Sequence, residues 1–215
     1  MNRKQLRQEL IDAAGYLCRL GYVVADSGVL SARIGPEIYI TPAGVHRARL
    51  EPKKLDVVRI DGKGKKDLPT DSEAWTHLMI YRDREDIAAV IHAQPPTATG
   101  FSVSGETIDP RILPELLVRL GGVPFIRRDP TRLGASDSSS VLEHLAESRA
   151  FLIGNRGVLT VGNSVWDAVA RQELVEHAAR VLITARILGK VETLSDAQVA
   201  RLVEVHFEAG GGRNR

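Results

Sequence analysis

Several things are scarce in this chain, and each scarcity removes a class of protein. There is a single cysteine, Cys18, which excludes an internal disulfide and a zinc site built from cysteines. No apolar run approaches the roughly 18 residues that a membrane span needs. The polar start Met1-Asn2-Arg3-Lys4-Gln5 lacks the apolar stretch of a signal peptide. There is also no surplus of one charge: 29 Lys and Arg stand against 27 Asp and Glu, so nothing draws the chain to nucleic acid or to an anionic membrane. No internal repeat and no interdomain linker is visible. The expectation is a soluble, cytoplasmic protein whose partners are small molecules or other copies of itself.

What is present reads as one domain of mixed class. With 215 residues the chain can bury about two-thirds of its unfolded surface. The reading is one domain over 1–208 followed by a flexible tail over 209–215, where three consecutive glycines precede Arg213-Asn214-Arg215. Leu6, Leu10, Ala13, Ala14, Leu17 and Cys18 recur at helical spacing up to the stop signal Gly21. Strands are expected at 29–34 and 37–41 around Gly35-Pro36, and again at 57–60 before Asp61-Gly62. A helix over 72–82 has Thr70 as its expected cap, with Glu73 completing a capping box. A buried strand over 87–92 is halted by Pro95-Pro96. Helical segments fill 96–120, followed by a short strand at 123–126 and a helix near 138–148. A hairpin of 151–153 and 158–161, a long helix over 165–188 and a last helix from about Ser195 complete the reading. Helices interspersed with strands, without strict alternation, imply an α/β/α sandwich with antiparallel pairing, and periodicity leaves the topology open.

Three short segments concentrate the residues capable of chemistry: Asp71-Ser72-Glu73 followed by His77, His92-Ala93-Gln94-Pro95, and Asn155-Arg156-Gly157. Each differs by one letter from Ser-Ser-Glu, His-x-His-Pro and Asn-His-Gly, the signature of the class II aldolase/adducin family. The chain resembles the L-fuculose-phosphate aldolase branch of that family, with matches in order and at family spacing from Gly28 to Glu176. The resemblance implies a three-layer α/β/α sandwich with a mixed, largely antiparallel central sheet. It also implies a homotetramer with sites between subunits.

In the family three histidines hold a zinc-type ion, and here the corresponding residues are His92, Gln94 and Arg156. Alternate residues of a strand share a face, so 92 and 94 are expected to point together, with 156 brought opposite by a hairpin turn. An amide oxygen is a poor zinc ligand, and a guanidinium that stays protonated repels a cation. No cofactor is therefore expected; zinc or another divalent metal enters only if this degenerate site is still used. His92 alone reads either as a hydrogen-bonded core histidine or as a residue lining the site. Drift after loss of activity would leave Arg156 salt-bridged, for instance to Glu73.

Glu73 matches the acid/base residue of the fuculose-phosphate aldolase branch, and a carboxylate in a pocket suits proton transfer. His77, four residues further on the same helical face, reads as a hydrogen-bonding partner. The family's phosphate end is altered as well. Gly28-Val29-Leu30-Ser31 stands for Gly-Asn-x-Ser, Ala43-Gly44 for Thr-Gly, and Asp71-Ser72 for Ser-Ser, so donors at 29 and 43 are missing. A carboxylate at Asp71 would oppose a phosphate. Glu115 reads as a solvated helix residue, with a functional role held as the alternative. Glu173, Glu176, Arg171 and Arg180 read as surface or subunit-interface pairs.

The reading that follows is an aldolase-like lyase that works without the three-histidine metal on a small, anionic, unphosphorylated oxo or hydroxy acid or a sugar-like substrate. Glu73 and Arg156 would be catalytic, with Gly28, Ser31, Gly44, Asp71, Ser72, His92 and Gln94 binding the substrate. The alternatives are a non-catalytic assembly module resembling the adducin head, and a conventional metal-dependent aldolase.

Overall fold

The computed structural model describes residues 1–61, 72–127 and 135–208. Seven strands form one sheet, β1 (Val29–Ile34), β2 (Glu37–Ile40), β3 (Asp56–Arg59), β4 (Ala89–Ala93), β5 (Phe125–Ile126), β6 (Ala150–Ile153) and β7 (Gly157–Gly162). Their spatial order is β3-β2-β1-β4-β7-β6-β5. Every neighbouring pair is antiparallel except β5 with β6. Among the described residues the α-helices are α1 (Arg3–Arg19), α2 (Glu73–Asp83), α3 (Pro96–Ser104), α4 (Pro114–Leu120), α5 (Ala135–His144), α6 (Val165–Leu188) and α7 (Asp196–Glu208). Single 3₁₀ turns at Arg47–Arg49 and Pro52–Lys54 were not foreseen.

The alternation of strand side chains divides the core between two helical layers. Along β4, Ala89, Ile91 and Ala93 pack with α1 and the start of α6, while Val90 packs against Leu78, Ile80 and Tyr81 of α2 and Val141 of α5. On β7, Val158 joins residues of α3, α4 and α6, whereas Leu159 and Val161 face α2 and α5. This is the expected three-layer α/β/α sandwich. The same alternation puts Ser31 and His92 on the α2 side of the sheet, because each stands an even number of residues from a neighbour on that face.

Two local readings are corrected. Helix α2 has Ser72 as its N-cap, so Glu73 is the first helical residue rather than the third. A capping box from Thr70 needs Glu73 at the third position, and the carboxylate instead turns away from the helix start toward Arg156 and His92. Thr70 and Asp71 lie outside the described residues, as does the tail at 209–215.

The polar residues of α6 are not surface pairs throughout. Glu176 is 1% exposed, accepting from Ala98 N at the start of α3 and from Arg180. Arg171 is buried, donating to the Val161 carbonyl and pairing with Asp167. Glu173 accepts from the Tyr16 hydroxyl at 2.8 Å. Helix α6 packs against β4, β7 and the start of α3, and its polar side chains satisfy backbone groups there that would otherwise be buried without partners.

Candidate active site

The Glu73–Arg156 pair at one end of the sheet is held by three separate elements. Glu73 projects from the first turn of α2. Arg156 lies in the turn between β6 and β7, where Asn155 takes a positive φ of 58°, a conformation Asn tolerates better than most residues. Gly157 closes this turn at φ 101°, and a Cβ there would lie 2.4 Å from the Ala93 carbonyl oxygen. The turn is tied from behind by Ser102 of α3, whose carbonyl accepts from Asn155 N at 3.0 Å and whose hydroxyl accepts from Gly157 N at 3.2 Å. Ser102 is a positioning residue that no motif in the sequence marked.

The Arg156 guanidinium forms an ion pair with Oε1 of Glu73. Oε2 of the same carboxylate lies 3.4 Å from His92 Nδ1. His92 Nε2 is 3.2 Å from the Arg156 backbone carbonyl; a carbonyl can only accept, so Nε2 carries its proton. One carboxylate therefore faces a guanidinium and an imidazole. Burial draws the Arg156 guanidinium below its ordinary pKa, yet such a group keeps its charge at any working pH.

Behind this cluster is a second, neutral one. His77 is 1% exposed, and its Nδ1 is 2.7 Å from the Ser31 hydroxyl, which in turn is 2.9 Å from the Tyr81 hydroxyl. Burial pushes the His77 pKa down to about 3 and raises that of the Tyr81 phenol. Glu73, Thr76, His77 and His92, with Val141, Ile153 and Leu159 as an apolar wall, line a cavity of about 10 Å³.

The remaining candidates are dispersed. Ser31 lies beneath His77 with no exposed surface. Gly28, at φ 70°, brings its Cα against the backbone of His92, where a Cβ would meet the carbonyl oxygen at 2.8 Å. Its own carbonyl is held by Arg47, a buried residue that the sequence reading missed. Arg47 donates from Nε and a terminal nitrogen to Gly28 O and from the other to Pro42 O and Val45 O. Gly44 is exposed on the loop that Arg47 anchors, and Ser72 stands at the N-cap position of α2. Gln94 lies just beyond the last ladder pair of β4, with its N–H given to the Tyr22 carbonyl and its Cγ beside Gly157. Glu115 is exposed on α4.

The profile describing the class II aldolase and adducin N-terminal domain matches residues 8–183. The chain belongs to this family. It is 27% identical over 210 residues to the 3-oxo-tetronate 4-phosphate decarboxylase of Escherichia coli K12, covering 93% of this chain and 95% of that protein. It is 29% identical over 172 residues to the L-fuculose phosphate aldolase of Methanocaldococcus jannaschii, covering 79% and 91%. Among solved structures, YgbL of Escherichia coli superposes with a TM-score of 0.82 at 26% identity, covering 94% of this chain and 99% of that one. The chain is thus an aldolase-like member of a lyase family.

The three-histidine pattern that the resemblance implies is not repeated in these residues. The family member's second and third histidines are an amide and a guanidinium here, and the guanidinium already holds the carboxylate that would lie beside an ion. Among the described residues no group of three or more His, Cys, Asp or Glu side chains could hold a metal.

Proposed function

We propose that this protein is a lyase that cleaves a carbon–carbon bond beside a carbonyl group in a small oxo or hydroxy acid, with Arg156 taking the place of the family's metal. The observation that carries the reading is the Arg156–Glu73 pair beside His92 in a partly buried pocket. Five N–H donors in a fixed fork suit a carboxylate or a developing enediolate. An anionic ligand that takes Arg156 for itself releases Glu73, and a carboxylate deprived of its cation in a desolvated pocket holds a proton more readily. When the bond from the α-carbon to the departing carbon breaks, that carbon leaves as CO2, or as an aldehyde once the Glu73 carboxylate has taken the proton of its hydroxyl, and the electron pair passes through the α-carbon to the carbonyl oxygen, where the guanidinium stabilises the charge. Glu73 then delivers the proton to carbon. Decarboxylation and aldol cleavage share this step, which accords with the two activities named among the relatives.

Those relatives act, by name, on phosphate esters. Here Val29 and Ala43 replace two phosphate donors of the resembled pattern, and Gly44 is exposed, so we assign the ligand's charge to a carboxylate at Arg156. Assembly into a homotetramer remains part of the proposal, supported by apolar side chains left exposed on α6, Trp166, Ile183, Ile187 and Leu188.

One observation favours a second reading, a non-catalytic module. The Glu73–Arg156 pair neutralises itself, as a retired pocket would. A thermal-shift screen of small oxo and hydroxy acids, with and without phosphate, separates the two readings when run on wild type, Arg156→Ala and Glu73→Gln in the presence of a chelator. Stabilisation of wild type by an unphosphorylated acid, lost in Arg156→Ala, with turnover lost in both variants, is the expected result. No stabilisation by any acid would favour the module.

A further inference from the structure

We propose that His77 is a further ligand-contacting residue of this site, its Nε2 forming a hydrogen bond with a hydroxyl group of the bound acid. The inference rests on the reading above that a small hydroxy or oxo acid is held at Arg156. It begins from position: Glu73, Thr76 and His77 share one face of α2, because residues three and four apart on a helix are neighbours, and all three line the same cavity. His77 Nε2 is buried and, among the described residues, has no hydrogen-bond partner. The ring is not free to turn and satisfy it elsewhere, since Nδ1 is fixed by Ser31 at 2.7 Å and Ser31 by Tyr81 at 2.9 Å. A buried polar atom without a partner is costly, and here it belongs to a residue that lines a cavity together with the reactive carboxylate of Glu73.

The chemistry of the partner follows from the tautomers. If Tyr81 donates to Ser31 and Ser31 donates to Nδ1, the ring proton is on Nε2, which then donates into the cavity. If Nδ1 donates to Ser31, Nε2 is bare and accepts. A hydroxyl group satisfies either arrangement, because it both donates and accepts; a carboxylate can only accept and an ammonium can only donate. Burial keeps His77 neutral, with its pKa near 3, so it adds no second cation for an anionic group. The cavity of about 10 Å³ has room for one water-sized group, which suits a hydroxyl and not a phosphate. Its far wall of Val141, Ile153 and Leu159 is apolar, so it offers such a hydroxyl no competing partner.

The test uses threonate and its 2-deoxy, 3-deoxy and 4-deoxy analogues, with affinities measured on wild type and His77→Phe. One deoxy analogue should bind wild type about tenfold more weakly than threonate, a loss of one buried hydrogen bond. His77→Phe should bind threonate about tenfold more weakly and no longer distinguish that pair, while its other discriminations persist. If the variant fails to fold, ¹⁵N-histidine spectra of wild type decide alone: the His77 Nε2 resonance should move with threonate and stay in place with the discriminated analogue. A resonance unmoved at saturation, with binding still lost in Arg156→Ala, would overturn the role of His77 and leave the functional reading intact. Failure of all four acids to bind wild type, when another acid of the screen does bind, would overturn the role of His77 alone, and failure of every acid in the screen would overturn both.

Discussion

Acidification should destabilise this protein through His77 by an amount that can be worked out. In the unfolded chain a histidine binds a proton near pH 6.5, whereas in the fold His77 stays neutral down to about pH 3. Below pH 6.5 the unfolded state therefore holds one more proton, and stability falls as pH falls until the folded value is reached. The native state gains nothing from this group above pH 6.5. At roughly 1.4 kcal/mol per pH unit, the loss is on the order of 1 kcal/mol at pH 5.5 and 3 kcal/mol at pH 4.5. Carboxylates also titrate in this range, so the measurement is a difference. Urea denaturation of wild type and His77→Gln is compared at pH 7.5, 6.5, 5.5 and 4.5. Glutamine keeps a polar side chain near Ser31 but cannot take up a proton. The stability gap between the two proteins should change little from pH 7.5 to 6.5 and should have narrowed by roughly 3 kcal/mol at pH 4.5. A gap that stays constant to pH 4.5 would mean that His77 is hydrated or charged in the native state, and the reasoning about its neutrality would be wrong.

Three further outcomes are expected. Ser102→Ala should cost about 1 kcal/mol of stability and weaken ligand binding further by loosening the turn that carries Arg156; titration of the screen's best acid measures the second effect. Elemental analysis of protein purified without chelators should find no stoichiometric zinc, while Gln94→His combined with Arg156→His should create zinc binding measurable by calorimetry, since the three histidines that the resemblance implies would then be restored. In a coupled assay for dihydroxyacetone phosphate, fuculose 1-phosphate should not be cleaved at rates typical of metal-bearing relatives, and robust turnover in the presence of a chelator would refute the inferred loss of phosphate donors.

Much of the fold was legible because its signals are local. The turn signal Gly35-Pro36 marked the reversal between β1 and β2, the 3.6-residue period marked α1, and Pro95-Pro96 marked the end of β4, each within a residue or two of the observed bounds. The strand order was not readable from periodicity, since the pairing of β4 with both β1 and β7 depends on contacts distant in the chain. The motif letters located Glu73, His92 and Arg156, and the fold brings these three together. What escaped was the support behind them. Ser102 and Arg47 act through backbone carbonyls and amides, and a partner of that kind leaves no pattern of side-chain types to recognise. Arg171 and Glu176 were misread for a related reason: a charged residue on a long helix usually faces water, and only the packing of α6 against β7 and the start of α3 gives these two their backbone partners.

The Arg47 guanidinium has a consequence for how the pocket could be altered over time. By gripping the Gly28 carbonyl with one edge and the Pro42 and Val45 carbonyls with the other, it latches two surface loops into one rigid piece. Gly28 in turn bears directly on the backbone of His92. An insertion or a change of turn type near Gly44, out on the surface, would therefore be transmitted through the latch as a displacement of His92 against Glu73. Such a lever allows the loop to retune the pocket while every residue that lines it stays the same. Cutting it with Arg47→Met should uncouple the two loops and make His92 indifferent to changes at position 44.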